Sequence, residues 1–235
     1  DPAIGGVAGN QRYRSSAAAE GTAEGERAYW GFDRLLKVAE SRAGSTISAT
    51  GAIYAIRRDL FRDVPPGVTD DFYTSVSVIA QGFRLVFVPN AVAWEEPAQS
   101  GRGEFRRKVR VMTRGLRAIV LHRSLLDPRT HGFYAVQLLS HKLLRRLMWA
   151  PLIVLMVTSP ALWRRGPIYR LATVVQGTFY GLAVIGLVPG RRARLRLVDL
   201  PAYFCLAMAA SLVASWNLLR GRQIDRWEPT SKDRR

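Results

Sequence analysis

In the first half of the chain, short apolar runs alternate with segments whose apolar residues repeat at helical spacing. Residues 4–9 predict a strand. Residues 26–43 predict a helix, because their apolar positions fall on one helical face: Tyr29, Trp30, Phe32, Leu35, Leu36 and Ala39. Residues 46–56 are rich in β-branched side chains and predict extended chain that breaks at Gly51.

The pattern then returns to helix and strand. Residues 70–81 predict a helix that ends at Gly82. Alternation at 84–88 predicts a strand, and 91–94 predicts a second one. Together these segments indicate an α/β unit over residues 1–125, in contact with water.

Three longer apolar runs occupy the second half of the chain. Residues 147–163 contain two prolines, residues 168–188 carry one charge near their start, and residues 200–219 carry none. A helix needs about 20 apolar residues to cross a bilayer, so the second and third runs qualify and the first is marginal. Residues 126–220 are therefore predicted to form a membrane region with two to three transmembrane helices, before a basic polar tail at 221–235. Gly177 and Gly181 form a G-x-x-x-G pattern, a candidate face for close helix packing.

The charge of the chain restricts its partners. The net charge is +17, which favours nucleic acid or an anionic lipid surface. The basic residues bracket the apolar runs, and that arrangement is typical of membrane proteins. The single cysteine, Cys205, excludes an internal disulfide framework. The three histidines lie nine and ten residues apart, which is not metal-ligand spacing, so no metal ligand is predicted within this chain.

Two aspartates stand side by side at the predicted start of the helix that covers residues 70–81. Thr69 is a favourable N-cap residue, and acidic residues in the first turn complement the helix dipole. This accounts for Thr69-Asp70-Asp71 as a helix start. The same position also suits a carboxylate that does chemistry, because the dipole favours its ionised form. From the local pattern alone both interpretations stay open.

The order of the motifs resembles the family 2 glycosyltransferases, in the membrane-embedded branch that includes cellulose and hyaluronan synthases. "YWGFDRLLKVAES" followed by "TGAIYAIRRDLF" is similar to the stretch after the metal-binding motif of those enzymes. "TDD" stands where they carry Thr-Glu-Asp or Asp-Asp, and "RKVRV" stands where they often carry Gln-x-x-Arg-Trp. "LLSHKLLRRL" resembles the segment that leads into their C-terminal helices. The resemblance covers nearly the whole chain.

The resemblance implies the C-terminal part of a GT-A domain with an interfacial helix, followed by transmembrane helices. It implies a multi-pass enzyme of the cell membrane with a cytoplasmic catalytic domain, in contact with membrane lipids and without a nucleic-acid partner. Such an enzyme is an inverting hexosyltransferase that uses a nucleotide-sugar donor and a glycan or lipid-linked acceptor. Asp71 would be the general base for the acceptor hydroxyl, and Asp70 would support it. Gly51 would line the donor and acceptor pocket, whereas its alternative interpretation is a plain β-bulge.

An arginine stripe follows on a predicted amphipathic helix at residues 104–120. Its apolar face contains Phe105, Val109, Met112, Leu116 and Ile119, and another face carries Arg107, Arg110, Arg114 and Arg117. By position in the resembling family, Arg107 takes the Gln place and Arg110 the Arg place that meets the donor diphosphate. Val111 takes the Trp place and cannot stack on a sugar, so processive synthesis of a long polymer is not implied. The alternative is that the stripe meets anionic lipid headgroups.

The donor half of the expected site is missing from the sequence. The resembling family binds its divalent metal, Mg²⁺ or Mn²⁺, through a D-x-D motif, and the chain contains none. The chain also begins without Met, inside a predicted strand. We therefore expect it to be a C-terminal fragment, inactive alone, with the D-x-D motif upstream of Asp1. The rival hypothesis is a non-catalytic membrane protein whose basic domain binds anionic lipid or nucleic acid.

The charges favour two spans, whereas the family resemblance implies three, so the membrane topology is left open. Three spans would put the basic tail at 221–235 outside, against the positive-inside tendency. Two spans would keep that tail inside, and would place the arginines at 191–196 outside.

Overall fold

The computed structural model describes residues 1–13, 23–95, 102–188 and 196–224. Three strands form one sheet in the order β2-β1-β3: β1 (Ile4–Tyr13), β2 (Tyr54–Ile56) and β3 (Arg84–Glu95). The central strand β1 runs antiparallel to β2 and parallel to β3. A Cβ atom on Gly9 would lie 2.4 Å from Cγ2 of Ile53 and 2.8 Å from the carbonyl oxygen of Ala91. Only glycine therefore lets the chain pass between its neighbours at this point of β1.

The strands predicted at residues 84–88 and 91–94 form one strand, β3, and the prediction of a break between them was wrong. The pairing of β1 with β3 shifts register between Ala8 and Asn10. Asn10 donates its side-chain amide to the carbonyl oxygen of Pro89 at 2.9 Å. This register shift accommodates Pro89, which has no N–H for the hydrogen-bond ladder, without ending the strand. The same pairing carries β1 on to Tyr13, past the predicted end at residue 9.

Helices pack beside the sheet; the first three begin and end within three residues of the bounds that the sequence predicted, and the fourth was not predicted. They are α1 (Ala23–Ala43), α2 (Asp70–Ala80), α3 (Arg102–Leu121) and α4 (Pro128–Gln137). A π-helical segment (Leu138–Leu144) and the short α5 (Arg145–Leu147) continue α4. Short 3₁₀ turns lie at Arg58–Leu60, Arg123–Leu126 and Trp163–Arg165.

One hydrophobic core joins these elements. Its buried side chains come from the chain between α1 and α2, from α2, β3 and α3, and from the chain beyond α3: Ile47, Val68, Phe72, Val76, Ile79, Leu85, Ala118, Ile119, Leu125, Tyr134 and Leu138. The predicted apolar face of α3 supplies buried Val109, Leu116 and Ile119. The core thus includes residues on both sides of residue 125, so α4 and the π-helical segment pack as part of the α/β unit.

The last three helices are apolar and largely exposed along their outer faces: α6 (Trp149–Ala161), α7 (Pro167–Leu187) and α8 (Arg196–Leu219). Two helices among the described residues are long and apolar enough to cross a membrane, Pro167–Leu187 and Leu197–Leu219. Helix α6 has 13 residues, and at about 1.5 Å per residue it is shorter than a bilayer core. It reaches a third span only together with Pro128–Leu147, to which it is bent by 51°.

Helices α7 and α8 approach each other closely at Gly186. A Cβ atom there would lie 2.5 Å from the carbonyl oxygen of Val198 and 2.7 Å from Cβ of Ala202. By contrast, a Cβ atom on Gly177 or Gly181 would meet no described atom within 4 Å. The G-x-x-x-G pattern is therefore not the packing face between these two helices, and the glycine that serves this purpose lies outside the pattern.

Candidate active site

Asp71 and Gly51, which are twenty positions apart in sequence, lie side by side in the structure. A Cβ atom on Gly51 would lie 3.6 Å from Oδ2 of Asp71. The backbone N–H of Phe72 donates to Oδ1 of Asp71 at 2.7 Å. A side chain at position 51 would therefore contact the half-buried carboxylate of Asp71. The pocket role of Gly51 stays a prediction.

A hydrogen-bonded serine fixes this arrangement. The hydroxyl of Ser75 donates to the carbonyl oxygen of Asp71 at 2.6 Å and accepts from the backbone N–H of Ala49 at 2.9 Å. Ser75 is buried on α2, one turn after Asp71. It therefore fastens the segment before Gly51 to the first turn of α2.

Thr69 is the N-cap of α2, as the sequence predicted, with extended φ and ψ of −84° and 122°. Its side chain makes no capping hydrogen bond. The hydroxyl that the capping interpretation relied on is therefore not used for capping. The aspartate pair lies in the first turn of α2, which agrees with a helix start. A helix start alone does not require Asp71 to be half-buried, as it is here.

Burial raises the pKa of Asp71 above the usual value of a carboxyl group, and the neighbouring charge of Asp70 raises it further. Hydrogen bonding from the backbone of Phe72 and Gly51 and the charge of Lys142 lower this pKa, but they do not outweigh the burial. The helix N-terminus, on which the sequence argument relied, is therefore not the dominant influence on this pKa, because desolvation by burial is the larger effect here. A carboxylate with a raised pKa is a stronger base, which suits proton abstraction.

Asp70→Asn is expected to shift the acid limb of the pH–rate profile to lower pH. Asp70 is exposed, and its charge raises the pKa of Asp71. Without that charge Asp71 stays ionised to lower pH, so activity persists further into the acid range. Profiles of kcat/KM against pH for both forms of the enzyme measure the shift. An acid limb that stays in place or moves to higher pH would contradict the assignment of this limb to Asp71.

The arginine stripe divides into two parts. Arg114 donates through Nε to the carbonyl oxygen of Val68 at 2.7 Å, and so holds the loop that enters α2. Arg117 donates from both Nη atoms to the side-chain oxygen of Gln223 at 2.9 Å, in the amide orientation that satisfies both groups. Arg110 is half-buried, and Arg107 is exposed. Half of the stripe is therefore engaged within the protein and is not a free lipid-binding surface.

Two cations near Asp71 were not among the predicted site residues. The Nζ atom of Lys142 lies 5.5 Å from the centroid of the Phe72 ring, and Cζ of Arg146 lies 5.8 Å from it. Burial lowers the pKa of Lys142 to about 8, with the charge of Arg146 as the next cause. Burial also lowers the pKa of Arg146 to about 10. The sequence feature that could have indicated them is the spacing of Lys142 and Arg146, one helical turn apart within an apolar run.

The residues present do not fit a divalent metal. Within the described ranges, no group of three or more His, Cys, Asp or Glu side chains is arranged to hold a metal ion. Asp70 and Asp71 are two carboxylates, too few for such a site, and the whole chain lacks a D-x-D motif. The expected Mg²⁺ or Mn²⁺ site upstream of Asp1 stays a prediction.

Comparisons with known proteins identify a similar family and a similar fold. Residues 2–118 match the family model described as "Glycosyltransferase like family 2". The fold is similar to that of a mannosyltransferase from Pyrobaculum calidifontis solved in complex with GDP-Man and Mn²⁺, with 19% sequence identity and a TM-score of 0.59. The match covers 95% of this chain and 56% of that chain, so this chain spans just over half the length of its structural relative. No curated protein matches it. The fold is thus a GT-A-like α/β fold with a small sheet and many helices.

Proposed function

We propose, from the glycosyltransferase family 2-like domain at residues 2–118, that this protein transfers a sugar from a nucleotide-sugar donor to an acceptor hydroxyl with inversion. The observation that supports this most is the contact between Asp71 and Gly51, where a Cβ atom would lie 3.6 Å from Oδ2. It places a half-buried carboxylate of raised pKa beside a residue that has no side chain. The carboxylate has the chemical properties of a general base.

In this mechanism Asp71 accepts the proton of the acceptor hydroxyl as that oxygen attacks the anomeric carbon. The new glycosidic bond forms on the face opposite the leaving group, and the bond between the anomeric carbon and the phosphate oxygen breaks. The electron pair of that bond leaves with the nucleoside diphosphate. Asp70 contributes by raising the pKa of Asp71. Arg107 and Arg110 keep their proposed role beside the donor diphosphate and the acceptor.

The acceptor is proposed to be a glycan or a lipid-linked sugar at the cell membrane. Two helices long and apolar enough to cross a membrane support a membrane-bound enzyme. The α/β unit is proposed to lie on the cytoplasmic side. The membrane-embedded polysaccharide synthases remain the proposed branch. The rival, a non-catalytic protein that binds anionic lipid or nucleic acid, has less support because Arg114 and Arg117 are engaged within the protein.

The stereochemistry of the product tests this proposal. The full-length protein in detergent, with an α-linked donor from a panel of UDP- and GDP-sugars, is expected to yield a β-linked product. The anomeric configuration can be read by digestion with glycosidases specific for α or β linkages. Heat-inactivated protein serves as the control for spontaneous donor breakdown. An α-linked product would overturn the inverting mechanism, and no transfer from any donor in the panel would overturn the proposed activity.

A further inference from the structure

Lys142 and Arg146 lie one helical turn apart and both face the ring of Phe72, the residue that follows Asp71. Their cationic groups lie 5.5 Å and 5.8 Å from the centroid of that ring. The charge of Lys142 also acts on the carboxylate of Asp71 and lowers the pKa of that carboxyl group. The pair therefore belongs to the surroundings of the candidate base, although it comes from a distant part of the chain.

Among the described residues neither cation forms an ion pair with a carboxylate, although the charge of Asp71 acts on Lys142. Nη1 of Arg146 is buried and has no hydrogen-bond partner among the described residues. Asp33, a nearby acid that acts on Lys142, already pairs with Lys37 at 3.1 Å. A buried cationic atom without an acceptor costs free energy, and two neighbouring cations repel each other. An unrelieved arrangement of this kind is typical of a functional site.

The backbone of α3 leaves room for the guanidinium group. A Cβ atom on Gly115 would lie 2.5 Å from Nη2 and 2.7 Å from Nη1 of Arg146. Gly115 is buried, so the guanidinium group lies directly against the helix backbone at this point. The glycine thus permits a placement of Arg146 that any other residue would disturb.

We propose that Lys142 and Arg146 form a phosphate-binding pair beside Asp71. This inference rests on the proposed glycosyltransferase function and specifies where that site takes up phosphate. A phosphate group offers several anionic oxygens, which suit the fork of an arginine and the point charge of a lysine at once. The phosphate has two possible sources, the diphosphate of the nucleotide sugar and the phosphate of a lipid-linked acceptor. Either would bring an anionic substrate group next to the base.

Binding of inorganic pyrophosphate to the full chain in detergent, followed by isothermal titration calorimetry, tests the pair directly. Lys142→Gln removes one charge, and we expect at least a tenfold loss of affinity, the scale of one charge-assisted hydrogen bond. Gly115→Ala keeps both charges but displaces the guanidinium group, and should also weaken binding. Arg129→Gln is the matched control, because Arg129 is exposed on α4 and its removal changes the net charge equally. It should bind as the wild type does.

A second set of titrations separates the two sources of phosphate. GDP and UDP represent the donor, and a polyprenyl phosphate in zwitterionic nanodiscs represents a lipid-linked acceptor. The ligand whose affinity falls in both Lys142→Gln and Gly115→Ala identifies the source. The inference is overturned if the wild type binds no pyrophosphate, or if both variants bind all these ligands as tightly as the wild type.

Different results would overturn the phosphate pair and the proposed glycosyltransferase function. If Asp71→Asn abolishes transfer while the two variants bind phosphate normally, the phosphate pair is wrong and the function stands. If the variants lose phosphate binding while Asp71→Asn still transfers sugar, the pair is a real anion site and the proposed mechanism fails.

Discussion

Replacing Asp71 with asparagine is expected to lower the rate of sugar transfer by about 10²- to 10⁴-fold, the usual contribution of a general base. The asparagine side chain has nearly the same shape and still accepts the hydrogen bond that the backbone N–H of Phe72 donates to Oδ1. It cannot accept a proton at neutral pH. The measurement is the single-turnover rate of the full-length enzyme, with donor binding determined separately so that loss of chemistry is distinguished from loss of binding.

The same substitution should not destabilise the protein at neutral pH. Because the pKa of Asp71 is raised on folding, its protonated form favours the folded state. This stabilisation is present at low pH and is lost as the pH rises through the raised pKa, so the ionised carboxylate costs stability at pH 7. A neutral asparagine avoids that cost, and its melting temperature should be no lower than that of the wild type. Asp63→Asn, at an exposed position, is the control and should keep full activity. Near-wild-type turnover of Asp71→Asn would remove Asp71 from the mechanism.

The sequence predicted those features of the site that depend on local patterns. The start of α2 at Asp70 follows from Thr69 and the acidic pair, and the break at Gly51 follows from the lone glycine among β-branched residues. The apolar face of α3 followed from its spacing of four and three. Each of these features is determined by residues within a few turns of each other, so a single sequence carries the signal.

Other features depend on packing between distant segments, and the sequence did not predict them. The pKa of Asp71 rises because surrounding elements bury it, which the first turn of α2 alone does not reveal. Lys142 and Arg146 approach Phe72 only because α4 and the π-helical segment join the same core through Tyr134 and Leu138. The phosphate pair is a tertiary feature of this kind, and its sequence signature, two basic residues one turn apart, is common on helix surfaces.

Replacing Glu40 with alanine is expected to cost about 2–4 kcal/mol of unfolding free energy, because it leaves buried hydrogen-bond donors without their acceptor, at about 1–3 kcal/mol each. Glu40 on α1 is 4% exposed. Its Oε2 accepts from the hydroxyl of Thr46 and the backbone N–H of Ile47, both at 3.2 Å. Its Oε1 lies 3.0 Å from Nδ1 of His141, next to Lys142. Denaturant unfolding followed by tryptophan fluorescence measures the loss.

Glu40→Gln separates the contacts of Glu40 with Thr46 and Ile47 from its contact with His141. The amide oxygen of glutamine can still accept from Thr46 and Ile47, whereas its NH₂ group cannot accept a hydrogen bond from His141. Its cost should therefore be smaller than that of alanine. Tyr134→Phe is a second variant for comparison, because it removes a different hydrogen bond to the same residue. The Tyr134 hydroxyl donates to the carbonyl oxygen of Ile47 at 3.0 Å. If Glu40→Ala costs less than about 1 kcal/mol, the scale of one ordinary hydrogen bond, Glu40 does not hold the segment before Gly51. The position of Gly51 against Asp71 would then depend on the Ser75 hydroxyl and the core alone.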